Sequence, residues 1–150
     1  MATSSIDPLA GMTGFLLVKV GIAASAAIEE TLRPLGLRGR EFRLLSFLAA
    51  EPHSQRELCA LTGLDRTTMV SVVDGLESTG LVVRERSTTD RRVHLVTMTD
   101  AGHETRREAL RRLRLAQEEF LAPLSETERD RLHHAAERLY TVHSDGCAAE

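Results

Sequence analysis

The segment from Ser54 to Gly102 carries a run of helix start and stop signals that leaves its backbone few alternatives. Ser54 and Glu57 stand at capping-box spacing, where a hydroxyl and a carboxylate each satisfy an unpaired helix-start amide. The helix they open, Gln55 to Thr62, presents Leu58 and Leu61 for burial. Gly63 then supplies a tight turn. Asp65 is a good N-cap for a second helix that runs to about Thr79 and stops at Gly80. Met69, Val72, Val73 and Leu76 recur at helical spacing along its inner side, so Arg66, Thr67 and Thr68 face outward on its first turn.

Two strands are expected next. Leu81–Arg86 and Arg92–Met98 are rich in Val, Leu and Thr and alternate as half-buried strands do. The loop between them, Ser87, Thr88, Thr89, Asp90 and Arg91, has no apolar residue, and Arg84, Arg86, Arg91 and Arg92 outnumber Glu85 and Asp90. Two short helices joined at a glycine and followed by a thin basic hairpin form the layout of a winged helix-turn-helix. Polar and basic side chains on the first turn of the second helix suit the reading of a DNA major groove, which they would enter first. A basic hairpin suits a narrow minor groove, where the negative potential is strongest. The candidate DNA-binding residues are Ser54, Gln55, Arg66, Thr67, Thr68, Ser71, Arg84, Arg86, Asp90, Arg91 and Arg92, with Asp90 set to hold Arg92 by a short-range ion pair.

The flanks read as helices. The expected fold is mainly α with a small β-hairpin wing. In it a winged helix-turn-helix over about Gly39–Met98 is joined to a helical dimerisation region over about Leu9–Arg33, Thr99–Leu121 and Ser125–His143, all within one domain of 150 residues. Pro34 and Gly36 end the first helix, the second runs from Gly39 to about Ala50 before Pro52, and Pro123 ends the fifth. Ser125 and Glu128 repeat the capping box, and Leu132, Ala135, Ala136, Leu139 and Val142 share one face of the last helix. A lone copy would leave these faces without cover, so a twofold dimer is expected. Aromatic residues are scarce and Trp is absent, so the core must come from Leu, Val, Ala and Ile.

Phe15 to Ile28 is apolar but too short to span a bilayer and holds Lys19 at its centre. Asp7 precedes it and no Lys or Arg does, unlike the start of an export signal. A buried helix in a cytoplasmic protein is therefore expected, with no membrane partner. A net charge of −3 argues against a generic polyanion binder, although the hairpin is locally positive. The arginines at 106, 107, 111, 112 and 114 read as a solvated face paired with Glu104 and Glu108.

Other chemistry finds little support. Cys59 and Cys147 match no metal or redox spacing; Cys59 reads as a buried structural thiol, and Cys147 lies in the tail. His133 and His134 are neighbours, about 100° apart on a helix, and cannot easily share one ion with His143. No nucleophile triad, carboxylate pair or phosphate loop stands out. The expectation is no enzyme, no catalytic residue, no metal and no cofactor.

The chain resembles the MarR family of bacterial winged-helix regulators. The resemblance rests on Gln55 to Leu64, Arg66 to Val70, Val73 to Glu77, Gly80-Leu-Val, Asp90-Arg-Arg and Leu95 to Gly102. The Asp-x-Arg wing followed by Leu-Val-Thr-Met-Thr-Asp-Ala-Gly is the most specific part. It implies a homodimer on double-stranded DNA with a pseudo-palindromic operator. Most relatives are repressors released by a small ligand or an oxidant, and the ligand class is an aromatic acid held between dimer helices and winged helix. No residue of this sequence is thereby assigned to an effector. The chain departs from the family at Ser71 and Gly75, often arginine, in lacking a proline before the wing Asp, and at Arg38, where Thr or Ser usually caps. Gly75 costs about 1 kcal/mol of helix propensity against alanine. The alternative readings are a winged-helix module for a protein partner, which would need apolar residues at 66–68 and 92, or for an RNA partner, or a redox- or metal-responsive regulator.

Overall fold

The computed structural model describes residues 7–87 and 92–144. Among them the order is α1 (Thr13–Leu32), a 3-10 turn (Arg33–Leu35), α2 (Gly39–Leu48), β1 (His53–Ser54), α3 (Gln55–Thr62), α4 (Arg66–Ser78), β2 (Val82–Arg86), β3 (His94–Met98), α5 (Asp100–Phe120) and α6 (Glu126–Ser144). The architecture is mainly helical with a small antiparallel sheet in the order β1-β3-β2. Its register runs from Val82 opposite Met98 to Arg86 opposite His94, with His53 opposite Val96 on the other edge. β1 was not foreseen, because two residues carry no alternation to read.

Local chemistry accounts for the element boundaries. The Ser54 amide donates to Glu57 Oε2 at 2.7 Å and the Glu57 amide to Ser54 Oγ at 3.3 Å, closing the capping box of α3. Gly63 takes φ +72°, a left-handed conformation in which a Cβ is strained, and its amide bonds to the Cys59 carbonyl at 2.9 Å. At α2 the missing Ser or Thr is made good by carboxylates: Glu41 Oε2 accepts from the Arg38 amide at 2.8 Å and Glu29 Oε1 from the Gly39 amide at 2.9 Å. Ser125 and Glu128 form the second expected capping box, at the start of α6.

The core gathers Leu44, Leu45 and Leu48 of α2, Leu58 of α3, Met69, Val72, Val73 and Leu76 of α4, and Val82, Val96 and Met98 of the sheet. Three expectations are corrected. Leu61 is 42% exposed; the second inward position of α3 is Thr62, which stays buried because its hydroxyl donates to the Leu58 carbonyl at 2.6 Å. Cys59 is half-buried rather than buried. Helix α1, expected to be buried, buries only Leu32 within one chain and leaves Leu16, Val20 and Ile22 exposed. Described side chains of α6 are likewise exposed, apart from half-buried Arg129. Among the described residues no helix is long and apolar enough to cross a membrane.

Candidate nucleic-acid interface

Asp65 sets the start of α4. Its carboxylate accepts from the Thr68 amide at 3.0 Å and from the Thr68 hydroxyl at 2.5 Å, and the hydroxyl above all holds the carboxyl below its ordinary range. The Glu57 carboxyl is lowered in the same way, by the Ser54 amide and then its hydroxyl. Both caps are therefore anionic at neutral pH, each on a helix N-terminus where the dipole favours negative charge. With Thr68 fixed in the cap and half-buried, Arg66 and Thr67 are the exposed side chains of the first turn, and Ser71 is exposed one turn on. Val70 is 39% exposed and belongs to the same outer surface. The sequence reading missed it, although its spacing of three from Thr67 and four from Arg66 was the available signal.

The described hairpin arginines, Arg84, Arg86 and Arg92, divide into two groups. Arg84 turns back onto the helices: Nη2 pairs with Asp74 at 2.5 Å, Nη1 with Glu77, Nε donates to Gln55 Oε1 at 3.4 Å, and the Arg84 amide donates to Glu77 Oε1 at 3.0 Å. Its side chain is 21% exposed. Arg84 thus joins β2 to α3 and α4 and is not an outward cation, because two carboxylates on one face of α4 hold it. Gln55 is drawn into the same cluster, and its Nε2 is buried without a hydrogen-bond partner among the described residues. The Ser54 hydroxyl and amide are taken up by Glu57. Sequence spacing gave no sign of this cluster, since Gln55, Asp74, Glu77 and Arg84 lie on three elements. Arg86 and Arg92 are exposed. Asp90 and Arg91 lie outside the described residues, as does the expected Asp90–Arg92 pair.

Two cavities matter here, one beside these elements and one behind them against the flanking helices. A small one of about 400 Å³ lies against α3 and α4 beside Cys59, Arg56 and Arg66. The larger, about 730 Å³, lies between α1, α2 and α5 and is lined by Ala27, Ile28, Phe42, Arg43, Leu113 and Phe120, with Glu29, Arg40 and Ser46. Among the described residues no three His, Cys, Asp or Glu are grouped to hold a metal ion. Instead His133 and His134 both lie against Glu137, at 3.3 and 3.4 Å.

A family model described as MarR family matches residues 35–93, from the end of the 3-10 turn to the residue before β3. A putative transcriptional regulatory protein for the hcr operon of Thauera aromatica is 33% identical over 139 residues, covering 91% of this chain and 84% of that protein. The chain belongs to the MarR family. CouR from Rhodococcus jostii RHA1, solved bound to p-coumaroyl-CoA, is 32% identical with a TM-score of 0.73, covering 87% of this chain and 93% of that one. The repressor CouR bound to a 23-mer DNA duplex aligns with a TM-score of 0.79 at 28% identity, covering 87% and 94%. MarR-family proteins are transcriptional regulators rather than enzymes, and this member is a DNA-binding transcriptional regulator.

Proposed function

We propose that this MarR-family regulator is a ligand-responsive repressor that acts in the cytoplasm as a homodimer on a pseudo-palindromic operator. The carrying observation is the first turn of α4, where exposed Arg66 and Thr67 flank a helix N-terminus, with Ser71 beyond them. In this reading Arg66 bonds guanine O6 and N7, while the Thr67 and Val70 methyls contact thymine methyl groups. Arg86 and Arg92 of the wing meet the adjoining backbone and minor groove. Ser54, Gln55 and Arg84 act behind this surface, holding α3, α4 and the wing in one arrangement. The polar outer turn of α4 favours this reading over a protein-binding winged helix. Exposed apolar side chains on α1 and α6 support the dimer.

The effector is assigned to the cavity between α1, α2 and α5. Phe42 and Phe120 offer ring contacts and Arg40 and Arg43 offer cations, a lining suited to an aromatic acid or its thioester. The p-coumaroyl-CoA complex of CouR supports that ligand class.

Titration of promoter-proximal DNA and of a scrambled duplex tests the DNA reading. The expected preference for the operator is about a thousandfold or more. Arg66→Ala should lose about tenfold or more on the operator and much less on the scrambled duplex. Equal losses would assign Arg66 to phosphate, and a parent protein without preference would overturn the reading.

A further inference from the structure

Arg43 belongs to the cavity and to the DNA-reading unit at once. It lies on the α2 wall of the α1–α2–α5 cavity, one turn before Ser46. Its guanidinium crosses the Phe47 ring at 5.8 Å, and Nη1 donates to the Thr62 carbonyl at 3.0 Å. Thr62 is the last residue of α3, so this carbonyl is one of the acceptors that a helix leaves unpaired at its C-terminus. A cation there also faces the negative end of the helix dipole. The Thr62 hydroxyl is engaged separately: it donates to the Leu58 carbonyl and accepts from the Leu64 amide at 3.3 Å. Gly63, Leu64 and Asp65 then lead directly into α4. One side chain of the cavity wall therefore tethers the turn that sets the angle of the reading helix.

We propose that Arg43 couples occupancy of the cavity to the reading helix. An anionic group bound in the cavity draws the guanidinium off the Thr62 carbonyl, and the α3–α4 turn loses its tether. This rests on the reading of the cavity as the effector site. The bond to the Thr62 carbonyl is charge-assisted on the donor side alone, whereas a carboxylate is an ionised acceptor that can take a guanidinium in two parallel hydrogen bonds, so it competes well for the same group. The long, flexible Arg43 stem permits the exchange. Of the other charged groups at the cavity, Arg40 adds a second cation, whereas the Glu29 carboxylate is held at the Gly39 amide and repels an anion from that end. A ligand that binds the untethered state better weakens DNA binding, and by linkage DNA weakens the ligand by the same factor.

The test uses the full chain and needs no known effector in its first arm. Ser46→Glu sets a carboxylate one helical turn from Arg43 on the cavity wall, and Ser46→Gln is its neutral counterpart. Operator affinity should be about tenfold or more lower in Ser46→Glu than in Ser46→Gln, and this ratio should fall to about one when Arg43→Met is also present. The same ratio in both backgrounds, or no difference between Glu and Gln, overturns the relay.

The second arm serves equally if Ser46→Glu does not fold, and uses p-coumaroyl-CoA as the probe. Saturating probe should weaken operator binding by about tenfold or more in the parent. In Arg43→Met this release factor should approach one while calorimetry still detects probe binding. Arg40→Met should bind the probe more weakly yet keep the parent release factor at saturation. Undiminished release in Arg43→Met overturns the relay. A probe that does not bind the parent counts against the effector reading, and the Ser46 arm then decides the relay.

Discussion

Arg84 and Arg92 carry the same charge on the same hairpin, but their surroundings give them different work. Arg84 is held by Asp74, Glu77 and Gln55. Arg84→Met would leave the Asp74 and Glu77 carboxylates facing each other one turn apart on α4 and would remove the donor to Gln55. A loss of about 1–2 kcal/mol is expected by urea denaturation, with weaker operator binding because the wing loses its anchor to the reading helix. An unchanged unfolding midpoint would show that the cluster contributes nothing to the fold. Arg92 is exposed, and its contribution is expected in the complex. Arg92→Ala should shift the thermal midpoint little, lower operator affinity strongly, and reduce the slope of log affinity against log salt by about one per wing. Parent-like affinity at physiological salt would remove the wing from the interface. The sequence alone showed four similar arginines. What sets Arg84 apart is the fold, which brings Asp74 and Glu77 from another element beside it.

At the scale of elements, the joint below the wing shows how local and distant signals combine. Thr99 caps α5 by accepting from the Gly102 amide at 3.1 Å, while its hydroxyl donates to the Gly80 carbonyl at 2.7 Å and its amide to the Leu81 carbonyl at 3.1 Å. Gly102 has no room for a side chain: a Cβ would be driven into the Leu81 carbonyl and to within 2.5 Å of Met98 Cγ. Gly102→Ala should therefore cost about 3 kcal/mol in chemical denaturation, at the upper end of overpacking; a cost under about 1 kcal/mol would mean that the joint yields freely. On α5 itself, hydrogen bonds from Arg111 and then Arg112 lower the Glu108 carboxyl to about 2. A depressed carboxylate contributes stability above its ordinary value near 4.5, and that contribution is lost as pH falls toward 2. Glu108→Gln should thus lie slightly below the parent in thermal midpoint at pH 7 and converge with it toward pH 2, a small difference because the cluster is exposed. Parallel curves over that range would show that the pair is not linked to folding. The start of every capped helix after α2 was legible, because a cap is a matter of three or four residues. The strand β1 and the 3-10 turn were not, being too short to carry a period, and the inward turn of Thr62 in place of Leu61 depended on a hydroxyl finding the carbonyl four residues back.

At the scale of the whole molecule, the distribution of apolar surface is the strongest argument for a second copy. α1 holds Leu16, Val20 and Ile22 in the open, and α6 exposes Leu132 and Leu139, two turns apart on one face with Ala135 and Ala136 between them. The described residues of one chain leave these faces uncovered, whereas a twofold partner would cover each patch with its own equivalent. The same symmetry would set two α4 helices about 34 Å apart, one turn of duplex, so that dimerisation and operator recognition stand or fall together. Leu132→Glu and Leu139→Glu would each bury an unpaired carboxylate at such an interface, at a cost of about 3–5 kcal/mol. The double variant should run as a monomer in light scattering at micromolar concentration and lose most of its operator affinity, while α2 to β3 keep their own core. A parent protein that is monomeric under those conditions without DNA would sink the dimer. A dimeric double variant would move the interface away from this face of α6.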